Sequence, residues 1–199
     1  MADVSLDFSA REPAERPGVA AAFPATGSLP ITSGLPLLGG LGVRVGRATR
    51  ADAGELLTLQ RAAYVSEAVL HDDVRLPPLL QTLDELEAEL LTPSLVALTA
   101  LLGPRLVGSV RAGRSQADPA AWAIGRLVVA PDVQGRGIGG RLLAAIETAA
   151  PSDVRRYTLF TGHRSAANLA FYAHRGYRET HRESVAAGPD LVHLAKPRA

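Results

Sequence analysis

The chain has 199 residues, of which 47% are hydrophobic and 21% charged, the size and balance of one soluble globular domain. A formal net charge of +1 removes any overall electrostatic case for nucleic acid or a membrane surface as partner. With no cysteine, disulfides, thiolate metal sites and a cysteine nucleophile are excluded.

The opening "MADVSLDFSAREPAERPG" lacks the basic and apolar regions of a signal peptide, so a cytoplasmic, bacterial-type enzyme is the default expectation. Arg16 and Arg44 bracket 27 uncharged residues, a length that could span a membrane. Pro17, Pro24, Pro30, Pro36 and six glycines would interrupt a helix there repeatedly. Residues 1–41 therefore read as a Pro/Gly/Ala-rich N-terminal arm whose "LPLLGGLGV" could cover an apolar patch, and residues 42–197 as the folded domain.

"VRVGRA" alternates apolar and basic residues and predicts a strand. A helix follows through Ala68, with Thr49 as N-cap, Asp52 at the capping-box position and Leu56, Leu57, Leu59 and Ala63 on helical spacing. "LHDDVRLPPLL" reads as a loop because of Pro77-Pro78, and Thr82 caps a short acidic helix. "SLVALTALL" and "RLVGSVRAGR" flank Gly103-Pro104 as a hairpin, and "AWAIGRLVV" is a third strand. Gly137 to Ala149 is a helix stopped by Pro151, "RRYTLFT" a strand, "AANLAFYAHRG" a helix ended by Gly176, and "YRETHRE" and "LVHLAK" closing strands. The order β-α-α-β-β-β-α-β-α-β-β, without internal repeat, places the chain in the α/β (α+β) class.

The informative stretch is "RLVVAPDVQGRGIGGRLLAAIE", Arg126 to Glu147. Gly135, Gly137, Gly139 and Gly140 stand where a helix begins, so free N–H groups and the positive end of the helix dipole favour an anion, a pyrophosphate above all; Arg136 and Arg141 can add charge. A Walker loop fails, because Arg141-Leu142 occupy its Lys-Ser/Thr places. A dinucleotide fingerprint is nominally met by Gly135, Gly137 and Gly140, but "APDVQ" separates strand from glycines and the next strand offers Phe160-Thr161-Gly162 in place of a ribose-binding acid.

Gln134, Gly137 and Gly139 also satisfy Q-x-x-G-x-G after "LVVAPD", and here the sequence resembles the GNAT superfamily of acyl-CoA-dependent N-acyltransferases. A second stretch, "TGHRSAANLAFYAHRGYRE", carries Asn168, Tyr172, Gly176 and Tyr177 at the spacing members use; Asn168 and Tyr172 are i, i+4 neighbours on one helix face. The resemblance covers roughly Val43 to Lys196. It implies a mixed, mostly antiparallel central sheet, flanked by about four helices and splayed at its central strands. It implies coenzyme binding by Leu127, Val128, Val129, Gln134, Gly135, Arg136, Gly137, Ile138, Gly139, Gly140 and Asn168. The activity implied is transfer of acetyl from acetyl-CoA directly to a primary amine in a ternary complex; the alternative is a non-catalytic acyl-CoA-binding module of the same fold.

The resemblance assigns Tyr172 as general acid. The chemistry agrees, since a phenol of pKa about 10 can donate toward a thiolate whose thiol has pKa about 8.5. A backbone N–H near Val128 or Val129 could stabilise the developing oxyanion. The departure is Ala123, where some members carry a Glu that helps deprotonate the amine; Glu67, His71, Asp72, Asp73 and His163 remain candidates. Because the first helix and the loop after it usually wall the acceptor site in this family, Tyr64, Glu67, His71 and Asp72 are the candidate acceptor residues, and the three carboxylates of this stretch, Glu67, Asp72 and Asp73, would suit a cationic amine. Trp122 reads as core or cleft border, Tyr177 as a core aromatic with its hydroxyl at the rim, and Ser165 as a helix cap. The five histidines lack ligand spacing, so no metal is expected. The acceptor could be a small molecule or a protein, and members often form homodimers.

Overall fold

The computed structural model describes residues 42–186 and 188–198. The N-terminal arm expected for residues 1–41 lies outside them. Among the described residues the elements run β1 (Val43–Arg47), α1 (Ala53–His71), α2 (Pro77–Leu80), α3 (Leu83–Leu90), β2 (Leu95–Leu102), β3 (Arg105–Arg114), β4 (Ala121–Val129), α4 (Ile138–Thr148), β5 (Arg156–Gly162), α5 (Ala166–Ala173), β6 (Arg178–Glu183) and β7 (Leu191–Pro197). The seven strands form one sheet in the order β1-β2-β3-β4-β5-β7-β6, in which only the β4–β5 pair is parallel. None of the described helices is long and apolar enough to cross a membrane.

Two local expectations change. Pro77-Pro78 does not enforce a loop, because both prolines stand in the first turn of α2, where the missing N–H would have had no helical partner. α1 extends beyond Ala68 to His71 and stops at Asp72, whose left-handed backbone (φ 54°) closes the helix. Glu67 and His71 are therefore one turn apart on a helix, whereas the sequence reading places His71 in a loop. The other boundaries follow local chemistry. Asp52 accepts from both the backbone N–H (2.6 Å) and hydroxyl (2.9 Å) of Thr49, but Thr49 starts a 3-10 turn (Arg50–Asp52) that leads into α1, whose own N-cap position is Asp52. Thr82 and Glu85 form a reciprocal capping box, and Gly103 (φ 60°) with Pro104 gives the two-residue hairpin turn between β2 and β3.

β3 is buried along almost its whole length, as expected of a strand covered on both faces. Gly108 and Arg111, of opposite parity, show what covers each. A Cβ on Gly108 would stand 2.8 Å from Leu142 of α4, so the glycine lets α4 lie close on that face. Arg111 faces α1 and α3. Leu56, Val107, Val110, Leu142, Leu143 and Ile146 are fully enclosed in the core between these layers. Trp122 belongs to that core too, 2% exposed and donating from Nε1 to the Ile146 carbonyl at 3.2 Å. Tyr177 is buried with its hydroxyl on Glu147 Oε1 at 2.7 Å.

β4 and β5 pair only at Ala121–Arg156, Trp122–Tyr157 and Ala123–Thr158. Beyond Ala123 they part, and β4 continues with β3 alone. A bulge falls in β4 between Gly125 and Val128, where Arg126 takes a positive φ of 52°. The splay at the central strands opens a fork at the centre of the sheet.

Candidate active site

The fork is the floor of a cleft of about 790 Å³ between α1, β4, the turn into α4, and α5. Ala130 N–H donates to Val107 O at 2.8 Å, and Gly108 faces Val129 across the ladder. By the two-residue alternation of an antiparallel ladder, Val128 is therefore directed at β3, and the Val129 amide and carbonyl face away from it, across the open edge. The Val129 carbonyl accepts from Gln134 Nε2 at 3.1 Å, so the glutamine ties the turn back to the strand.

The turn itself needs glycine at two points. Gly135 and Gly137 have φ of 75° and 80°, and Gly137 is the N-cap of α4. Gln134, Gly135, Gly137, Ile138, Gly139 and Gly140 all line the cleft, as do Leu127, Val128 and Val129. The α4 N-terminus thus opens into it, with the first-turn amides that a helix leaves without intrahelical partners. Arg136 is exposed and is not among the lining residues. Of the arginines that line the cleft, Arg175 stands beside Gly140, and the sequence reading misses it. Its guanidinium stacks 3.7 Å from the Phe171 ring centroid, donates to the Phe171 carbonyl at 2.9 Å, and lies so close to Gly140 that a Cβ there would meet Nη2 at 2.6 Å. A signal exists: Asn168, Tyr172 and Arg175 follow i, i+4, i+7 along one face of the α5 segment.

Tyr172 stands deeper, 9% exposed, edge-on to Phe171 and Tyr177 with ring centroids 5.1 and 5.7 Å away. Burial, reinforced by Tyr64 and the negative charge of Glu67, pushes its hydroxyl well above the usual phenol range. The α5 helix ends because Gly176 (φ 87°) allows Tyr177 N–H to reach back to Tyr172 O at 3.1 Å, which fixes the tyrosine's backbone.

The acceptor-side candidates converge only in part. Tyr64, Glu67 and His71 line the cleft; Asp72 does not, and stands exposed in an adjoining pocket of about 360 Å³ with His163. Glu67 Oε1 accepts from Asn168 Nδ2 at 3.1 Å, and Oε2 accepts the Ser165 hydroxyl in a short bond. Asn168, expected to serve the coenzyme, lines the cleft, and its Nδ2 donates to Glu67 and to Thr161 Oγ1 at 3.4 Å. Ser165 is the N-cap residue of α5 by position, but its side chain caps nothing: the hydroxyl serves Glu67. His71 Nε2 lies 3.2 Å from Ser165 Oγ, and Gly162 is what admits the ring, since a Cβ there would stand 2.2 Å from Nε2. Among the described residues no group of three or more side chains is disposed to hold a metal ion.

Burial lowers the His71 imidazole from its ordinary 6.5, opposed by Glu67 and Asp73 and assisted by His163 and Arg164. A base with a depressed folded pKa binds its proton more tightly when unfolded, so folding stability falls as pH drops through 6.5 and the folded pKa below it. Urea midpoints should accordingly decline from about pH 7.5 to about pH 5.5, and His71→Gln should make that decline shallower.

The architecture agrees with known proteins. The family model described as "Acetyltransferase (GNAT) family" matches residues 58–177. This chain belongs to that family. Among solved structures it is similar to the PaiA N-acetyltransferase of Thermoplasma acidophilum in complex with coenzyme A, at TM-score 0.67 and 14% identity, over 79% of this chain and 100% of that one. It is also similar to an acetyltransferase of Thermus thermophilus (0.62, 23%, over 79% and 98%) and to a ribosomal-protein-alanine N-acetyltransferase of Brucella melitensis (0.63, 22%, over 77% and 99%). No curated protein matches the sequence.

Proposed function

We propose that this chain transfers an acetyl group from acetyl-CoA directly to a primary amine, both substrates being bound together in the cleft. The observation that supports the reading is that a glycine-rich helix N-terminus and Tyr172 line one cavity, beside a strand that has parted from its neighbour. The residues fit the coenzyme: Gly135, Gly137, Gly139 and Gly140 bare the amides that would grip its diphosphate, with Arg175 beside them, and the open edge at Leu127 to Val129 offers amides to the pantetheine arm. Acetyl-CoA supplies the activated acyl carbon and a thiolate leaving group.

The protein's part is to orient and to supply protons. The Val129 N–H, turned away from β3, would stabilise the charge that develops on the carbonyl oxygen. Tyr172, with its pKa raised, keeps its proton at neutral pH and offers it to the departing sulfur. A thiol of ordinary pKa near 8.5 is the stronger acid, so this help is chiefly a hydrogen bond in the transition state. Direct transfer requires no protein nucleophile, in keeping with a chain that has no cysteine.

The lack of a carboxylate at Ala123 favours a second reading, a non-catalytic module that binds acyl-CoA. Free-thiol titration separates the two. With acetyl-CoA and a panel of a lysine peptide, a peptide N-terminus, a polyamine and an aminoglycoside, at least one acceptor should accelerate coenzyme A release. Binding of coenzyme with no acceleration by any amine would leave the binding module.

A further inference from the structure

We infer that Glu67 is the carboxylate that receives the attacking amine as its ammonium and takes its proton, from α1 rather than from the central strand. The inference rests on the acetyltransfer reading above and concerns the acceptor half of the same cleft. An alkyl amine has a pKa near 10.4 and reaches the enzyme charged, so a proton acceptor must stand beside the acyl carbon. Ala123, the last β4 residue paired to β5 before the fork, carries no group able to do this.

Among the described residues lining the cleft, two bear carboxylates, Glu67 and Asp73. Asp73 is engaged in its own loop, accepting the Arg75 backbone N–H at 2.8 Å with the Arg75 guanidinium at 3.8 Å. Glu67 is built differently. Its side chain is one-quarter exposed, and it is aimed by donors from another element: Ser165 on Oε2 and Asn168 on Oε1 at 3.1 Å, both from the start of α5. A carboxylate offers about four lone-pair directions, so these donors fix its plane and leave room for an incoming N–H.

The arrangement also explains three residues that no other role absorbs. Ser165 forgoes the helix end it is placed to cap. Its single proton goes to Glu67, so the neighbouring His71 Nε2, 3.2 Å from Ser165 Oγ, must carry a hydrogen and donate. His71, its side chain 2% exposed and seated over Gly162, thereby holds Ser165 from behind and stands 3.6 Å from Glu67 Oε2. Ser165 and His71 are positioning residues. Asn168 links the carboxylate to the helix face on which Tyr172 lies one turn later, so base and acid approach the acyl carbon from one scaffold.

The proton balance closes. The ammonium gives one proton to Glu67; the neutral nitrogen forms the C–N bond to the acyl carbon; the C–S bond breaks and sulfur leaves with its electron pair, accepting a hydrogen bond from the Tyr172 hydroxyl. The second nitrogen proton ends on sulfur, directly or through Tyr172, and Glu67 returns its proton to solvent. The products are an N-alkyl acetamide, coenzyme A thiol and one proton.

The test uses the full chain, acetyl-CoA and the alkyl amines of the thiol-release panel. Glu67→Gln should lower kcat/KM about 10²–10⁴-fold at about pH 7, leave acetyl-CoA affinity near wild type as a check of folding, and lose most of its defect as pH approaches about 10.4. Glu67→Asp should recover part of the rate. A Glu67→Gln protein with wild-type turnover, or with a loss that stays constant across pH, overturns the assignment while leaving acetyl transfer intact. If wild type releases no thiol with any amine, the parent reading fails and this one with it.

Discussion

Tyr172→Phe is expected to reduce turnover with acetyl-CoA about 10²–10⁴-fold while the coenzyme binds as before. The change removes one oxygen and keeps the ring, so the edge-on contacts to Phe171 and Tyr177 at 5.1 and 5.7 Å, which seat the side chain, survive. The diphosphate end of the cleft, at Gly135 to Gly140, is built by other residues and should not register the change. The loss should therefore fall on kcat, with the dissociation constant of acetyl-CoA, read by calorimetry, unmoved. Full activity in the variant would mean that the sulfur departs unaided and that positioning together with the Val129 amide accounts for the rate.

The second large effect concerns stability. Arg111 is 1% exposed and is the hub of a polar network that joins β3 to α1, α2 and α3. Its Nη2 donates to Gln60 Oε1 at 2.5 Å and its Nη1 to Glu89 Oε2 at 2.7 Å, while Gln60 and Gln81 bond each other and Gln60 Nε2 also holds the Pro78 carbonyl at 2.8 Å. Burial pushes its guanidinium below the ordinary arginine value, and the charge of Glu89 opposes this. Removing one partner of a buried pair strands the others, so Arg111→Ala should cost about 3–5 kcal/mol. That is a large part of the roughly 5–15 kcal/mol typical of a whole domain. Urea denaturation should show the midpoint collapse, and α1 to α3 should become protease-sensitive. Replacing both Arg111 and Glu89 by leucine should return much of the loss, because a packed apolar pair leaves fewer stranded charges.

What can be read from the sequence is local or motif-borne. The strand and helix patterns, the Thr49 and Thr82 starts, the Gly103-Pro104 hairpin and the glycine turn before α4 each depend on neighbours a few residues apart. What cannot be read depends on distance along the chain. The residues bonded to Arg111 lie 22 to 51 positions away, and nothing in "RLVGSVRAGR" distinguishes an arginine that is buried from one that is solvated. Glu67 and Ser165 are 98 positions apart, so the acidic stretch around the end of α1 reads as one acceptor wall, although only part of it reaches the cleft. Asp72 stands out by composition but falls outside, because α1 persists to His71 and turns the chain away there. Arg175 is inconspicuous for the opposite reason: Arg136 and Arg141 sit in the glycine motif, and it does not.

The short parallel ladder of Ala121 to Ala123 against Arg156 to Thr158 has a mechanical meaning. It is the seam of the sheet, the one place among the described residues where the β4 and β5 halves are stitched by strand pairing. A ligand that lay along the open edge and touched both α4 and α5, as the proposed coenzyme would, would act as a strap across that seam. Its binding energy would then add to the cohesion of the two halves, by RT ln(1 + [L]/Kd) for a ligand that ignores the unfolded chain.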